Sequence, residues 1–170
     1  MSIDALIHAA VKEKRLFPLL PRAAGEAPHR AMFLSENLWE LLNTSWDDPA
    51  METRLGILEA DLELFVQGSA IDPKYLFLLY PLREGVWEIR SVREDPSIRV
   101  LGLFVRKDVF FAANYALRED LGGWDSREWR QVKRIARTEW TRVFHAYQPM
   151  ISSKVQDVAT GAIDGRYFKG

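Results

Sequence analysis

Hydrophobic positions along this chain switch between a spacing of three-and-four and a spacing of two, and each switch predicts an element. Ile3, Leu6, Ile7, Ala10 and Val11 fall on one face of a short helix over residues 3–14. Pro18, Pro21, Gly25 and Pro28 then interrupt regular structure, so 18–29 reads as a linker or an irregular wrap. Arg30 to Leu34 is a candidate edge strand. Ser35 can cap a helix over Glu36 to Thr44 that carries Leu38, Trp39, Leu41 and Leu42. Asp48-Pro49 opens the next helix, Ala50 to Gln67. Met51, Leu55, Leu58, Leu62 and Phe65 form its stripe, with Glu52, Glu59, Asp61 and Glu63 off it and Gly68 as the stop.

Beyond residue 74 the period falls to two. Lys74 to Pro81 reads as a strand. Val86 to Ser91 alternates, with Trp87 and Ile89 on one face and Glu88 and Arg90 on the other. A turn at Glu94-Asp95-Pro96 leads to Ile98–Arg106, almost continuously apolar except for Arg99. Lys107-Asp108 turns the chain into Val109–Leu117, which is apolar on both faces, as at the centre of a sheet covered by helices. This three-strand meander organises the rest.

A polar break at 118–123 precedes a long helix, Ser126 to Tyr147, opened by a capping box of Asp125 and Glu128. Its apolar stripe is Trp129, Val132, Ala136, Trp140, Val143 and Tyr147. A basic stripe of Arg127, Arg130, Arg134 and Arg137 runs beside it, flanked by Lys133 and Arg142. After Pro149 the tail contains Gly161, Gly165 and Gly170 and is either mobile or laid across a surface. Helices and strands are segregated, which predicts an α+β fold with a mainly antiparallel sheet, two helices ahead of the meander and a long helix after it. The chain divides into a leading helix with a Pro-rich segment (1–29), a central domain (30–148) and a tail (149–170).

Composition narrows the class. The 170 residues are enough for one domain with a real core. No apolar run reaches the roughly 20 residues of a membrane span, and the first residues lack the pattern of a secretory signal. With no cysteine there are no disulfides or thiolate metal sites, and a reducing cytosol fits. The net charge of −1 hides an asymmetry: residues 1–82 hold 7 Lys/Arg against 12 Asp/Glu, and residues 83–142 hold 13 against 10. The sheet and last helix are therefore the basic half, a local face for a polyanion or ordinary surface variation.

His8, His29 and His145 do not stand at metal-ligand spacing, and there is no phosphate-cradling glycine loop and no nucleophile elbow. What remains is a set of cations on the meander: Arg90 in its first strand, Arg99 in the second and Arg118 just after the third. Guanidinium groups grip phosphate in bidentate fashion and stabilise developing negative charge. Each also has a structural reading, as a cross-strand pair, a snorkelling interior residue or a strand-end cap. The basic stripe is a solvated face or a polyanion surface, and Trp124, Tyr115, Tyr147 or His145 could stack on a base.

The meander resembles the core of the RelE/HigB-like toxins of toxin–antitoxin systems over about residues 30–145. Trp87-Glu88-Ile89-Arg90 is similar to the family's first signature strand and Ile98-Arg99-Val100-Leu101 to its second. Where the family carries a Lys-rich stretch, this chain has Asn114 to Asp120, with one cation and two acids. The resemblance implies cleavage of mRNA, commonly on the ribosome, with no metal or cofactor: the 2′-hydroxyl attacks the adjacent phosphate. It implies a small curved antiparallel sheet with a preceding helical hairpin and a long following helix, and Arg90, Arg99 and Arg118 as the phosphate-binding, charge-stabilising set, with Tyr115 or His145 as acid/base candidates. On its own charge pattern, the stripe of Arg127, Arg130, Lys133, Arg134 and Arg137 is a candidate for further nucleic-acid contacts. An acidic antitoxin segment would cover this face. The rival readings are a non-catalytic module that holds nucleic acid or a protein, and a homodimer joined through the leading helix.

Overall fold

The computed structural model describes residues 1–23, 25–91 and 97–168; the expected turn at Glu94-Asp95-Pro96 and Gly170 lie outside the described residues. In chain order the elements are α1 (Ile3–Lys12), β1 (Phe17–Pro18), β2 (Ala31–Leu34), α2 (Glu36–Asn43), α3 (Pro49–Val66), β3 (Leu76–Leu78), β4 (Trp87–Arg90), β5 (Ile98–Arg106), β6 (Val109–Leu117), α4 (Arg127–Phe144) and α5 (Val155–Val158). Single turns of 3-10 helix occupy Leu82–Glu84 and Arg118–Asp120. The class is α+β. Among the described residues one six-stranded sheet runs in the order β1-β2-β6-β5-β4-β3, antiparallel throughout except where β2 lies parallel to β6.

Helices cover both faces. On one, α2, α3 and the tail pack Leu38, Leu58, Leu62, Phe65, Val158 and Tyr167 against Met32, Trp87, Ile89, Val100 and Phe104. On the other, α1 and α4 pack Leu6, Ala10, Ala136, Trp140 and Phe144 against Leu101, Leu103, Phe111 and Ala113. β5 and β6 sit between both layers, which is why their sequences are apolar on both faces. A register shift between Leu101 and Gly102 places Ala112 opposite Gly102, leaving Ala113 as the extra residue of a bulge. Glycine is required opposite it, because a Cβ at position 102 would stand 2.2 Å from the Phe111 carbonyl oxygen.

The helix starts follow side-chain chemistry. Ser35, Asp48 and Ser126 each accept a backbone N–H of the first turn, from Leu38, Ala50 and Trp129. The cap of α4 is thus Ser126 and not Asp125, and that helix ends at Phe144. The Ser126 hydroxyl also donates to Leu121 O at 2.5 Å, which anchors the turn before the helix and favours it over its neighbour.

Three further findings concern the flanks. β2 is not an edge strand, because Phe17 and Pro18 pair with Leu34 and Phe33. Asp61 and Glu63, which lie off the apolar stripe of α3, are nevertheless buried. Asp61 accepts the Ser91 hydroxyl (2.6 Å), and Glu63 accepts the Arg22 N–H and guanidinium (2.8 Å each), tying the Pro-rich wrap to α3. The tail is laid across the body and built into it. Val155, Val158, Ala159 and Tyr167 are buried, and Asp108 holds Thr160 through its N–H (2.7 Å) and its hydroxyl (2.6 Å). Arg30 is buried beneath the tail, donating to Phe65 O (2.9 Å), Ser69 O (2.7 Å) and Thr160 O (2.8 Å). Burial lowers its pKa and the Asp108 carboxylate, 3.8 Å away, opposes that shift. Among the described residues no helix is long and apolar enough to cross a membrane.

Candidate functional site: an arginine cavity under the last helix

Alternation along β4 turns Trp87 and Ile89 into the α3 layer and Glu88 and Arg90 toward α4. Arg99 stands directly opposite Arg90 on β5. Two like charges opposed on one face of a sheet repel, and Glu88 is the residue that holds them. Its Oε1 accepts Arg90 Nε at 2.6 Å and lies 3.5 Å from Arg99 Nη1. Arg90 also lies over the Phe77 ring, 4.4 Å from its centroid. Arg118 begins the 3-10 turn after β6 and donates to Gly122 O at 3.1 Å.

These residues line one cavity of about 320 Å³, closed by Lys133 of α4 and by the aromatic side chains of Tyr80, Trp124 and Trp129. Among the described residues four cations there face one carboxylate. Burial lowers the Arg99 pKa first of all; Glu88 opposes the shift, and Arg90 and Arg118 add to it. Burial likewise leads the lowering of the Lys133 pKa, which Glu84 opposes and Arg137 and Arg130 increase; its ammonium donates to Tyr80 O at 2.6 Å. Among the described residues Arg99 Nε and Glu88 Oε2 are buried without hydrogen-bond partners. The site is thus a partly desolvated surplus of positive charge with an unused guanidinium donor, an arrangement that a bound anion would relieve.

The three meander arginines come together as the sequence suggested. The basic stripe divides. Lys133 belongs to the cavity, and with Arg130, Arg134 and Arg137 it also lines an adjoining groove of about 430 Å³ beside Tyr80 and Trp124. Arg127 is exposed and lines neither. Arg137 pairs with Glu84, and Arg130 donates to Asp125 O at 2.6 Å. Both acid/base candidates lie elsewhere. Tyr115 packs with the α3-side core and borders a cleft between α2 and α4. His145 caps α4 from the far end, about 18 Å of helix beyond Lys133, beside α1.

Glu88 and Tyr80 are the site residues that sequence reasoning missed. Glu88 carried a signal, since alternation puts it on the face of Arg90, but an acid on a strand reads as solvated. Tyr80 reaches the site because the chain leaves the sheet after Leu78, a break that nothing in its spacing announces. Among the described residues no cluster of three or more His, Asp or Glu could hold a metal ion. No family model, no curated protein and no solved structure matches this chain.

Proposed function

We propose that the chain is a metal-independent endoribonuclease of the RelE/HigB-like kind, with the Arg90/Arg99/Arg118 cavity gripping the scissile phosphodiester of mRNA. The observation that carries the reading is the meeting of these three guanidinium groups, from β4, β5 and the turn after β6, in one cavity with, among the described residues, a single buried carboxylate. In the reaction the RNA 2′-oxygen bonds to the adjacent phosphorus while the bond to the departing 5′-oxygen breaks. The 2′-hydroxyl proton passes to solvent water and the leaving 5′-oxygen takes one from the Lys133 ammonium, which solvent then reprotonates. The products are a 2′,3′-cyclic phosphate and a 5′-hydroxyl end. Arg90, Arg99 and Arg118 would stabilise the extra negative charge on the five-coordinate phosphorus. Glu88 orients two of them without touching RNA. Lys133, whose burial disfavours the ammonium form, is the proton donor within reach of the cavity. An acidic antitoxin segment laid over this face would silence it by charge complementarity.

A second reading, a non-catalytic RNA-binding module, is favoured by one observation: neither Tyr115 nor His145 lines the cavity. One experiment separates the two. Purified protein is incubated with single-stranded RNA in excess chelator, and the products are resolved by length and end group. Cleavage leaving cyclic phosphate ends, slowed ~100-fold or more in Arg99→Ala/Arg118→Ala, is the expected result. RNA that is bound but stays intact at every concentration establishes the module instead.

A further inference from the structure

β2 accompanies β6 only as far as Leu34, opposite Ala112. Ser35 then donates its N–H to Ala112 O (2.9 Å), caps α2 and takes the chain out of the sheet, while β6 continues to Leu117. The register shows which backbone groups face the vacated row. Arg118 N–H donates to Ser97 O at 2.9 Å, and Leu117, Ala116, Tyr115 and Asn114 follow opposite Ile98, Arg99, Val100 and Leu101 without a shift. Bonded and non-bonded pairs alternate in an antiparallel ladder. Asn114 and Ala116 therefore bond to β5, whereas Tyr115 and Leu117 turn their N–H groups, and Tyr115 its carbonyl, away from it. The β4 side agrees: Ser91 N–H donates to Ile98 O (3.3 Å), so Ile98, opposite Leu117, faces β4. Among the described residues no hydrogen bond from outside the strand reaches the outward groups of Tyr115 and Leu117 N–H.

This short open edge forms the floor of a cleft of about 680 Å³ between α2 and α4. Leu41, Trp46 and Val132 supply apolar walls, and among the described residues the rim carries three carboxylates, Glu40, Asp120 and Glu128, and no cation. None of the three enters an ion pair among the described residues. Unpaired edge groups are a template for another strand, and the charge of the rim selects which strand. We infer that this cleft binds an extended basic peptide, with Lys or Arg interspersed among apolar residues, by adding it to β6 in the row that β2 vacates. Main-chain bonds to Tyr115 and Leu117 set its register and the carboxylates select its charge. The site lies apart from the arginine cavity and does not depend on its function.

The test uses a synthetic heptapeptide alternating Lys and Val, with amide hydrogen exchange followed by NMR on the full chain. In dilute free protein the Tyr115 and Leu117 amides should exchange ~100-fold faster or more than those of Asn114 and Ala116, and the peptide should protect them. Leu117→Pro removes one outward donor where φ is already −76° and should weaken binding ~10-fold. If that variant does not fold, Glu40→Lys/Glu128→Lys, at two exposed positions, should weaken binding ~10-fold and flatten its salt dependence. The inference is overturned by amides already protected in the dilute protein, by protection that grows with protein concentration alone and so reports a second copy, by equal binding of a Glu–Val heptapeptide, or by no binding.

Discussion

Deleting residues 149–170 is expected to leave the chain unfolded at room temperature, although the sequence of that segment has no marked periodicity. Its Val155, Val158 and Tyr167 are each 3% exposed or less and complete the core on the α3 face. Burying side chains of this size contributes ~1.5–3 kcal/mol each. The deletion also removes Thr160, leaving the buried Arg30 guanidinium without one of its three carbonyl acceptors and the Asp108 carboxylate without both of its tail donors. A charged group deprived of hydrogen bonds in the interior costs ~1–3 kcal/mol or more. Together these losses approach the ~5–15 kcal/mol total stability of a typical domain. Circular dichroism of the truncated chain should show no cooperative thermal transition. Tyr167→Phe grades the effect: it keeps the ring and loses only the hydroxyl that donates to Ile71 O at 2.8 Å, at ~1 kcal/mol. A truncated chain that melts like the intact one would show that the tail is dispensable.

Replacing Glu88 by Gln should destabilise the protein and at the same time tighten its hold on anions. Among the described residues Glu88 is the one carboxylate of the cavity and is almost wholly buried, whereas Arg90 keeps about a quarter of its side chain exposed. Breaking a fully buried ion pair costs ~3–5 kcal/mol. With Arg90 partly solvated, ~2–3 kcal/mol is the appropriate scale here. For a chain of this length that lowers the melting midpoint by ~5–10 °C. The two opposed guanidinium groups then lack a counter-charge, and inorganic phosphate can supply it. A ligand at a hundred times its dissociation constant returns ~2.7 kcal/mol. Phosphate should therefore raise the midpoint of Glu88→Gln clearly more than that of the wild type. Equal midpoints without phosphate, or equal responses to it, would mean that Glu88 does not hold the arginines.

Much of this architecture was legible because simple rules were left undisturbed. β5 and β6 begin and end where their apolar runs do, and α3 follows its stripe of Leu55, Leu58, Leu62 and Phe65. The gathering of Arg90 and Arg99 was readable for the same reason: consecutive strands of a meander are neighbours, and alternation puts both residues on one face. The misses share a cause, which is partners distant in sequence. Asp61 and Glu63 look solvated until the wrap at Arg22 and the end of β4 at Ser91 cover them. β1 is two residues inside a Pro-rich stretch, too short for any period, and it exists because β2 presents an edge. Tyr115 and His145 seemed available for catalysis by residue type, but alternation sends Tyr115 to the opposite face and helix length carries His145 away.

Under the proposed function, the Arg90/Arg99/Arg118 cavity grips the phosphodiester backbone of single-stranded RNA. Fluorescence anisotropy of a labelled RNA oligonucleotide, titrated with wild type and with Arg99→Ala/Arg118→Ala over a range of salt, tests it most directly. For about three phosphate contacts the logarithm of the wild-type affinity should fall against the logarithm of salt with a slope of about −2. The variant should bind ~10-fold or more weakly with a visibly shallower slope. Wild-type and variant curves that coincide, or RNA that does not bind at low salt, would contradict the account.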